Sequence, residues 1–332
     1  MGGIDQMKKT KVWIGFLLLA CIGVFSVSAA QTGLQSKAQD ILNKTPETQT
    51  VIQGQDGFLF LKSELNHVTK GPLVSALSSP SEASVAILDF NQQLKQAGIR
   101  LIVIPVPAKL EVYPDKLFGD GIKVEKNPQA EFYRQLEEKG VQVLDLFPLF
   151  IQETSGNIVY CRQDSHWNAQ GMNVAVKALA QDIQKEKWYK AQRPFKVSPV
   201  ILAVQGDLSR DLNQPEMHQE SLMISKVEGK TVDESSPILV MGDSHTLIFH
   251  SGDDMLAENA GFVDQLAAAL SIPVDLIGVR GSGATPVRIN LYRKASKQPD
   301  WLKNKKIIIW CFTAREFTQS QNGWKKIPLF KQ

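Results

Sequence analysis

The sequence predicts an α/β domain with a mostly parallel sheet covered by helices, because strand-length apolar runs alternate with helix-period stretches along most of the chain. The strand-length runs lie at 99–106, 141–146, 237–241, 274–279 and 306–312, and helix-period stretches fall at 131–139, 168–183 and 258–270. Ile238-Leu239-Val240-Met241 and Ile307-Ile308-Ile309-Trp310 are apolar throughout, as strands covered on both faces require. Their C-terminal ends should therefore mark the sheet edge where open α/β sheets place ligands. A chain of 332 residues is long enough for one large domain of this kind or two smaller ones.

Taken in order, the first segment predicts export. Lys8, Lys9 and Lys11 precede an apolar run from Val12 to Val27, and Ser28-Ala29-Ala30 supplies small residues before Gln31. Translation starting at Met7 would still leave a complete signal. The run is short against the roughly 17–25 residues that a bilayer needs. Residues 1–30 are therefore read as a cleaved signal peptide or a retained N-terminal membrane anchor. A lipoprotein reading, with Leu18-Leu19-Ala20 before Cys21, conflicts with the apolar residues that continue past that cysteine. Residues 31–50 are polar and read as a linker or a short helix, the folded domain is expected over 51–320, and 321–332 is expected as a tail. The polar stretch 205–236 reads as a surface excursion ahead of the Ile238 strand.

Thirty-seven basic and 34 acidic residues are well mixed, with a formal net charge of +3. No long basic run is present to track a nucleic-acid backbone, which excludes that partner class. The three cysteines do not make a disulfide scaffold, since Cys21 lies in the apolar segment. Cys161 and Cys311 remain a candidate pair, because Cys161 closely precedes Asp164 and Cys311 ends a strand at the expected site edge.

Gly242-Asp243-Ser244 follows the Ile238 strand directly, so the Ser244 hydroxyl stands at a strand end, where backbone N–H groups of a following turn can stabilise an oxyanion. The same tripeptide also suits a plain turn, and Thr246 stands where a G-x-S-x-G elbow would have its second glycine. A serine needs a base, usually an oriented imidazole. His166 fits best, because Asp164 can hold its ring and Asn168 and Gly171 mark the start of a helix. Asp164-Ser165-His166 can equally be a helix cap. His245, adjacent to Ser244, is expected as a pocket wall, and His67, His218 and His250 have no comparable setting. The recurrence of Asp-Ser-His at 164–166 and 243–245 leaves open a metal site built from both pairs. No further His-x-His or Glu-x-x-His spacing supports it.

Four separated segments resemble one family in order: Gly54-Gln55-Asp56-Gly57-Phe58-Leu59-Phe60; Ile104-Pro105-Val106-Pro107-Ala108-Lys109 with Val112-Tyr113-Pro114; Asp164-Ser165-His166-Trp167; and Gly242-Asp243-Ser244. The chain resembles the SGNH-hydrolase-like alginate O-acetylation proteins of the AlgJ and AlgX type over about Val51 to Phe317. In that family, too, the Asp-x-His pair precedes the serine. The resemblance implies a three-layer α/β/α sandwich of flavodoxin-like, SGNH-hydrolase-like fold. It implies acetyl transfer to hydroxyls of an exopolysaccharide in the periplasm, without cofactor or metal.

Carried over by position, Ser244 is the nucleophile, His166 the base and Asp164 its orienting carboxylate. Gly281 and Gly283, in Arg280-Gly281-Ser282-Gly283-Ala284, are candidate oxyanion or substrate contacts, with a simple glycine turn as the alternative. Arg315 is a candidate contact to a carbohydrate hydroxyl or carboxylate, with a surface arginine as the alternative. The implied partners are a polysaccharide acceptor, a membrane-bound O-acyltransferase that supplies acetyl, and an inner-membrane export complex. Because the sequence ends at Gln332, soon after the last strand, the resemblance is closer to the single-domain AlgJ type. An acetylesterase with the same triad and a non-catalytic polysaccharide-binding or scaffold subunit are the rival functions.

Overall fold

The structure, a computed structural model, describes residues 29–73, 82–212 and 219–329. The basic and apolar parts of the expected export signal, up to residue 28, lie outside the described residues. Among the described residues nine strands are defined: β1 (Val51–Gln53), β2 (Leu59–Leu61), β3 (Arg100–Val106), β4 (Gln142–Val143), β5 (Lys196–Val204), β6 (Glu220–Glu228), β7 (Ile238–Gly242), β8 (Asp275–Gly278) and β9 (Ile307–Thr313). The central sheet has five strands in the order β4-β3-β9-β7-β8. Each of its pairings is parallel.

Strand periodicity divides the core into two layers. Ile102, Ile104, Ile238, Val240, Ile307 and Ile309 enter one hydrophobic cluster, and the alternate residues Leu101, Val103, Leu239, Met241, Ile308 and Trp310 enter the other. The first layer is covered by helices Ala169–Ile183 and Phe262–Leu270, through side chains such as Met172, Val176, Leu179, Phe262 and Leu266. The second is covered by Glu82–Gln96, Ala130–Glu138 and Thr285–Lys297, through Ile87, Phe90, Phe132, Leu136, Val287 and Leu291. This is the three-layer α/β/α sandwich that the resemblance implied. Its buried strands owe their stability to apolar area removed from water, at about 25 cal/mol per Å².

The structure departs from the sequence expectations where polar side chains redirect the chain. The strand expected at 141–146 stops at Val143, because the Asp145 carboxylate accepts from Phe147 N (3.0 Å) and Asn127 Nδ2 (2.7 Å) and turns the chain into helix Phe147–Glu153. The helix expected from 258 begins at Phe262, where the Asp264 carboxylate accepts from Gly261 N (2.8 Å). Residues 205–236 are more than a surface excursion. They hold the short helix Asp207–Asp211 and β6, which pairs antiparallel with β5 along its full length. This ribbon buries Leu222 and Ile224 on one face and exposes the cross-strand pair Ile201 and Met223 on the other, at 73% and 69%.

Most of the segment read as a linker or a short helix lies in helix Ala29–Lys44, whose Leu34 and Ala38 are buried, so the packed chain begins before Val51. Toward the other end, Trp324 and Leu329 are buried against the second layer. Among the described residues no helix is long and apolar enough to cross a membrane.

Candidate active site

β7 ends at Gly242, and the next residues turn sharply into a single helical turn, Ser244–Thr246. A side chain at Gly242 is impossible, because a Cβ there would lie 1.8 Å from the Cys311 carbonyl oxygen on neighbouring β9. Asp243 caps the turn by accepting from His245 N (2.9 Å), and its other carboxylate oxygen accepts from Thr313 N (2.7 Å) at the end of β9. Two strand ends are thereby tied together, and Ser244 is set partly exposed at the C-terminal edge of the sheet.

The histidine arrives from the opposite side on a closed loop. Tyr160 and Trp167 form an antiparallel bridge, Cys161 N donates to the His166 carbonyl (3.2 Å), and Asn168 N donates to the Val159 carbonyl (3.1 Å). Trp167 is fully buried and anchors the loop. Asn168 then caps helix Ala169–Ile183 by accepting from Gln170 N and Gly171 N. The cap expected for this segment is thus made by Asn168, which leaves Asp164 free to serve the ring.

The three predicted residues meet. His166 Nε2 lies 2.7 Å from Ser244 Oγ, and His166 Nδ1 lies 2.6 Å from Asp164 Oδ1. With Nδ1–H donated to Asp164, Nε2 is the lone-pair nitrogen that accepts from the serine hydroxyl. Asp164 also accepts from His166 N (3.0 Å) and from Asp207 N (2.9 Å). Burial works against charge on both partners, but the attraction between them and these N–H donors hold the Asp164 carboxyl well below its ordinary range. The His166 ring rises above its ordinary value: burial opposes its charge, and Asp164, with Asp207 and Asp243 behind, overcomes that opposition.

His245 is buried beside the base as the expected wall, its ring centroid 4.9 Å from that of His166 and 5.5 Å from that of Trp167. Its Nδ1 lies 3.1 Å from Asp243 Oδ1. Burial pushes His245 below its ordinary pKa, and although Asp243 opposes the shift, the positive charges of His166 and Arg315 add to it.

The remaining candidates are more loosely placed. A Cβ at Gly283 would come within 2.7 Å of Phe312 Cβ and 3.0 Å of Asp243 Cβ, so the glycine lets its loop pack directly behind the serine turn. The Gly283 carbonyl accepts from the Trp310 indole (2.8 Å), and Ser282 Oγ donates to Glu316 (2.5 Å). Gly281 has φ +94° and open space where a side chain would stand. Arg315 is half-buried, with Nη1 3.9 Å from the buried Glu64 carboxylate.

The structure does not pair Cys161 with Cys311. Both are buried free thiols, and Cys161 Sγ lies 3.8 Å from the Trp167 carbonyl oxygen. Nor do the two Asp-Ser-His segments form one ligand set. Asp164, His166 and Asp207 bring ligand atoms within 4.8 Å of one another. All three are joined by N–H and O–H donors in this arrangement.

Two residues that the sequence did not single out as site residues complete the surroundings. Lys109 is fully buried, and its ammonium donates to the carbonyls of Leu59 (2.8 Å), Arg162 (3.3 Å) and Asp164 (2.7 Å). Asp207 holds the same loop and accepts from Ser165 N (2.7 Å) and Ser165 Oγ (2.5 Å). A cavity of about 1050 Å³ opens beside Phe58, Tyr113 and Arg162. Ser244 is not among the residues that line it.

An Asp-held imidazole on a serine, at the C-terminal edge of a parallel sheet between two helical layers, has the form of an SGNH-hydrolase-like site. The chain belongs to the family described as SGNH hydrolase-like domain, acetyltransferase AlgX, whose profile matches residues 51–314. It is 26% identical over 282 residues to a Pseudomonas fluorescens protein named probable alginate O-acetylase AlgJ, covering 80% of this chain and 68% of that protein. Against an Azotobacter vinelandii protein of the same name the identity is 24%, covering 69% of this chain and 53% of the relative, so the chain spans about half its length. Among solved structures, the O-acetyltransferase domain of Pseudomonas putida AlgJ superposes with a TM-score of 0.59 at 23% identity, over 80% of this chain and 91% of that domain. This likeness bears on the fold.

Proposed function

We propose that this protein is a polysaccharide O-acetyltransferase that works outside the cytoplasm through an acetyl-serine intermediate. The observation that carries the chemistry is the 2.7 Å approach of His166 Nε2 to Ser244 Oγ, with the ring held by Asp164. In the first half-reaction Ser244 Oγ bonds to the acetyl carbon of an ester or thioester donor. His166 takes the serine proton and delivers it to the leaving oxygen or sulfur as the donor bond breaks. In the second half, His166 takes the proton of a sugar hydroxyl, whose oxygen bonds to the acetyl carbon. The bond to Ser244 then breaks, and the proton returns to Oγ. Asp164 fixes the tautomer and stabilises the imidazolium in both halves. The N–H groups of Ser244 and of the Gly281–Gly283 loop, which packs behind Asp243, are the candidates for the oxyanion.

The names of the relatives support an alginate-like acceptor, and the family resemblance implies a membrane-bound O-acyltransferase that passes acetyl across the membrane. The periplasm, with or without an N-terminal anchor in an export complex, is the compartment that fits this route. The test is acetyl release from a chromogenic ester, with and without an acceptor glycan, by purified Ser244→Ala, His166→Ala and the double variant. All three should fall to a similar low residual rate, because each loses the same step. Acetyl appearing on glycan in preference to water separates transferase from esterase. Undiminished acetylation by Ser244→Ala moves the protein to the scaffold class.

A further inference from the structure

The loop that carries the base is held from a second direction by a residue outside the triad. Asp207 directs both carboxylate oxygens at Ser165, accepting from its N–H at 2.7 Å and its hydroxyl at 2.5 Å. Its own N–H donates to Asp164 Oδ2 at 2.9 Å, the oxygen that the imidazole does not use. The approach is close: at Gly206 a Cβ would fall 2.1 Å from the Gln163 carbonyl oxygen and 2.7 Å from Asp164 N. Burial and the neighbouring Asp164 charge push this carboxyl above its ordinary pKa, but both oxygens accept from donors, an arrangement that suits the ionised carboxylate.

We propose that Asp207 is a positioning residue of this site, gripping Asp164 and Ser165 so that His166 stays seated on Ser244. This inference rests on the serine–histidine reading above. It assigns a role in that site to residues 205–211, whose composition suggested only surface. The Asp207 charge also acts on the ring. The charged and titratable groups that face His166 are Asp164 on its own loop, Asp207, and Asp243 with His245 at the strand end. Of these, Asp207 is the carboxylate that touches neither the ring nor the serine turn, so it can be neutralised without removing a triad contact.

The experiment compares Asp207→Asn, Asp207→Glu, Ser165→Ala and Ser244→Ala in the full chain, measuring kcat, KM and the pH profile of ester turnover, with urea unfolding for each. Asp207→Asn keeps the shape and loses the charge. Its kcat should fall on the order of 10-fold to 10²-fold, by misplacement of the base, with KM little changed because Asp207 is two links from the substrate. Removing a negative charge should also lower the His166 pKa, so the acid limb of the profile moves to lower pH. Asp207→Glu and Ser165→Ala keep the charge and should lower kcat without moving the limb.

A residue with a purely structural role would change the folded fraction and leave the limb in place. An unmoved limb in Asp207→Asn, with kcat falling only as the folded fraction falls, overturns the proposal. So does failure of both Asp207 variants to fold. If Ser244→Ala retains turnover, it is the serine reading that fails, and the two failures stay distinct.

Discussion

Replacing Lys109 by Met tests how firmly the base-bearing loop is held. The ammonium has three N–H donors, and it spends them on three carbonyls, those of Leu59, Arg162 and Asp164. Burial pushes this amine below its ordinary pKa, and the charges of Glu64, Asp164 and Asp207 oppose that shift. Methionine fills a similar apolar volume but donates nothing. The Leu59 and Asp164 carbonyls, at 2.8 and 2.7 Å from Nζ, then lose a buried donor. Each such loss costs about 1–3 kcal/mol; at about 1.5 kcal/mol apiece the two come to about 3 kcal/mol, and loss of the charge beside Glu64 brings the expected total to about 3–5 kcal/mol. Against a total stability of about 5–15 kcal/mol the variant should still fold. Since the Asp164 carbonyl is among those released, turnover per folded molecule should fall on the order of 10²-fold. Urea unfolding with parallel ester assays measures both. A stability loss under about 1 kcal/mol with parental turnover would show that the loop is set by Trp167, Asn168 and Asp207 without Lys109, and the reasoning fails.

Three further outcomes follow from the same geometry. The base acts when neutral and its ring is raised, so turnover should be lost as pH falls through a midpoint above the ordinary histidine value of about 6.5, and a midpoint below that value contradicts the Asp164 pairing. Activity should survive exhaustive chelation, because the Asp164, His166 and Asp207 cluster is joined by protons; loss that a divalent ion restores would favour metal chemistry. Thiol counting on the denatured, unreduced protein should find both Cys161 and Cys311 free, and their absence from the count would reinstate the pairing.

The parts of the site that could be read from sequence are those whose signal is local. A run without polar residues marks β7, and the serine just past its end is at the sheet edge by arithmetic. The Asp-x-His spacing lets one carboxylate reach both the ring and the backbone N–H of the same histidine. What escaped has a non-local cause. Asp207 reaches the loop across 42 positions of sequence, from a stretch whose polarity suggested solvent. Lys109 lies in a segment that the family resemblance picked out, but a lysine in sequence reads as surface until three carbonyls are seen around it. The ribbon of β5 and β6 was hidden because one of its faces is half exposed, so its alternation did not look like core.

The two Asp-Ser-His segments show that a tripeptide does not define a role. In both, the aspartate accepts from the histidine backbone N–H and faces its Nδ1. In 164–166 the chain on either side is tied to the protein interior by Trp167, Lys109 and Asp207, and the free ring nitrogen points at a serine on another strand. In 243–245 the aspartate is already shared with Thr313 across the sheet, and the ring lies between Trp167 and a second imidazole. Carboxylates surround the first ring and raise it; burial lowers the second, with the charges of His166 and Arg315 adding to that. In the proposed transfer, once His166 takes the serine proton its new charge further discourages protonation of His245. The neighbour therefore stays neutral while the base is charged, and the proton remains on the nitrogen that faces Ser244.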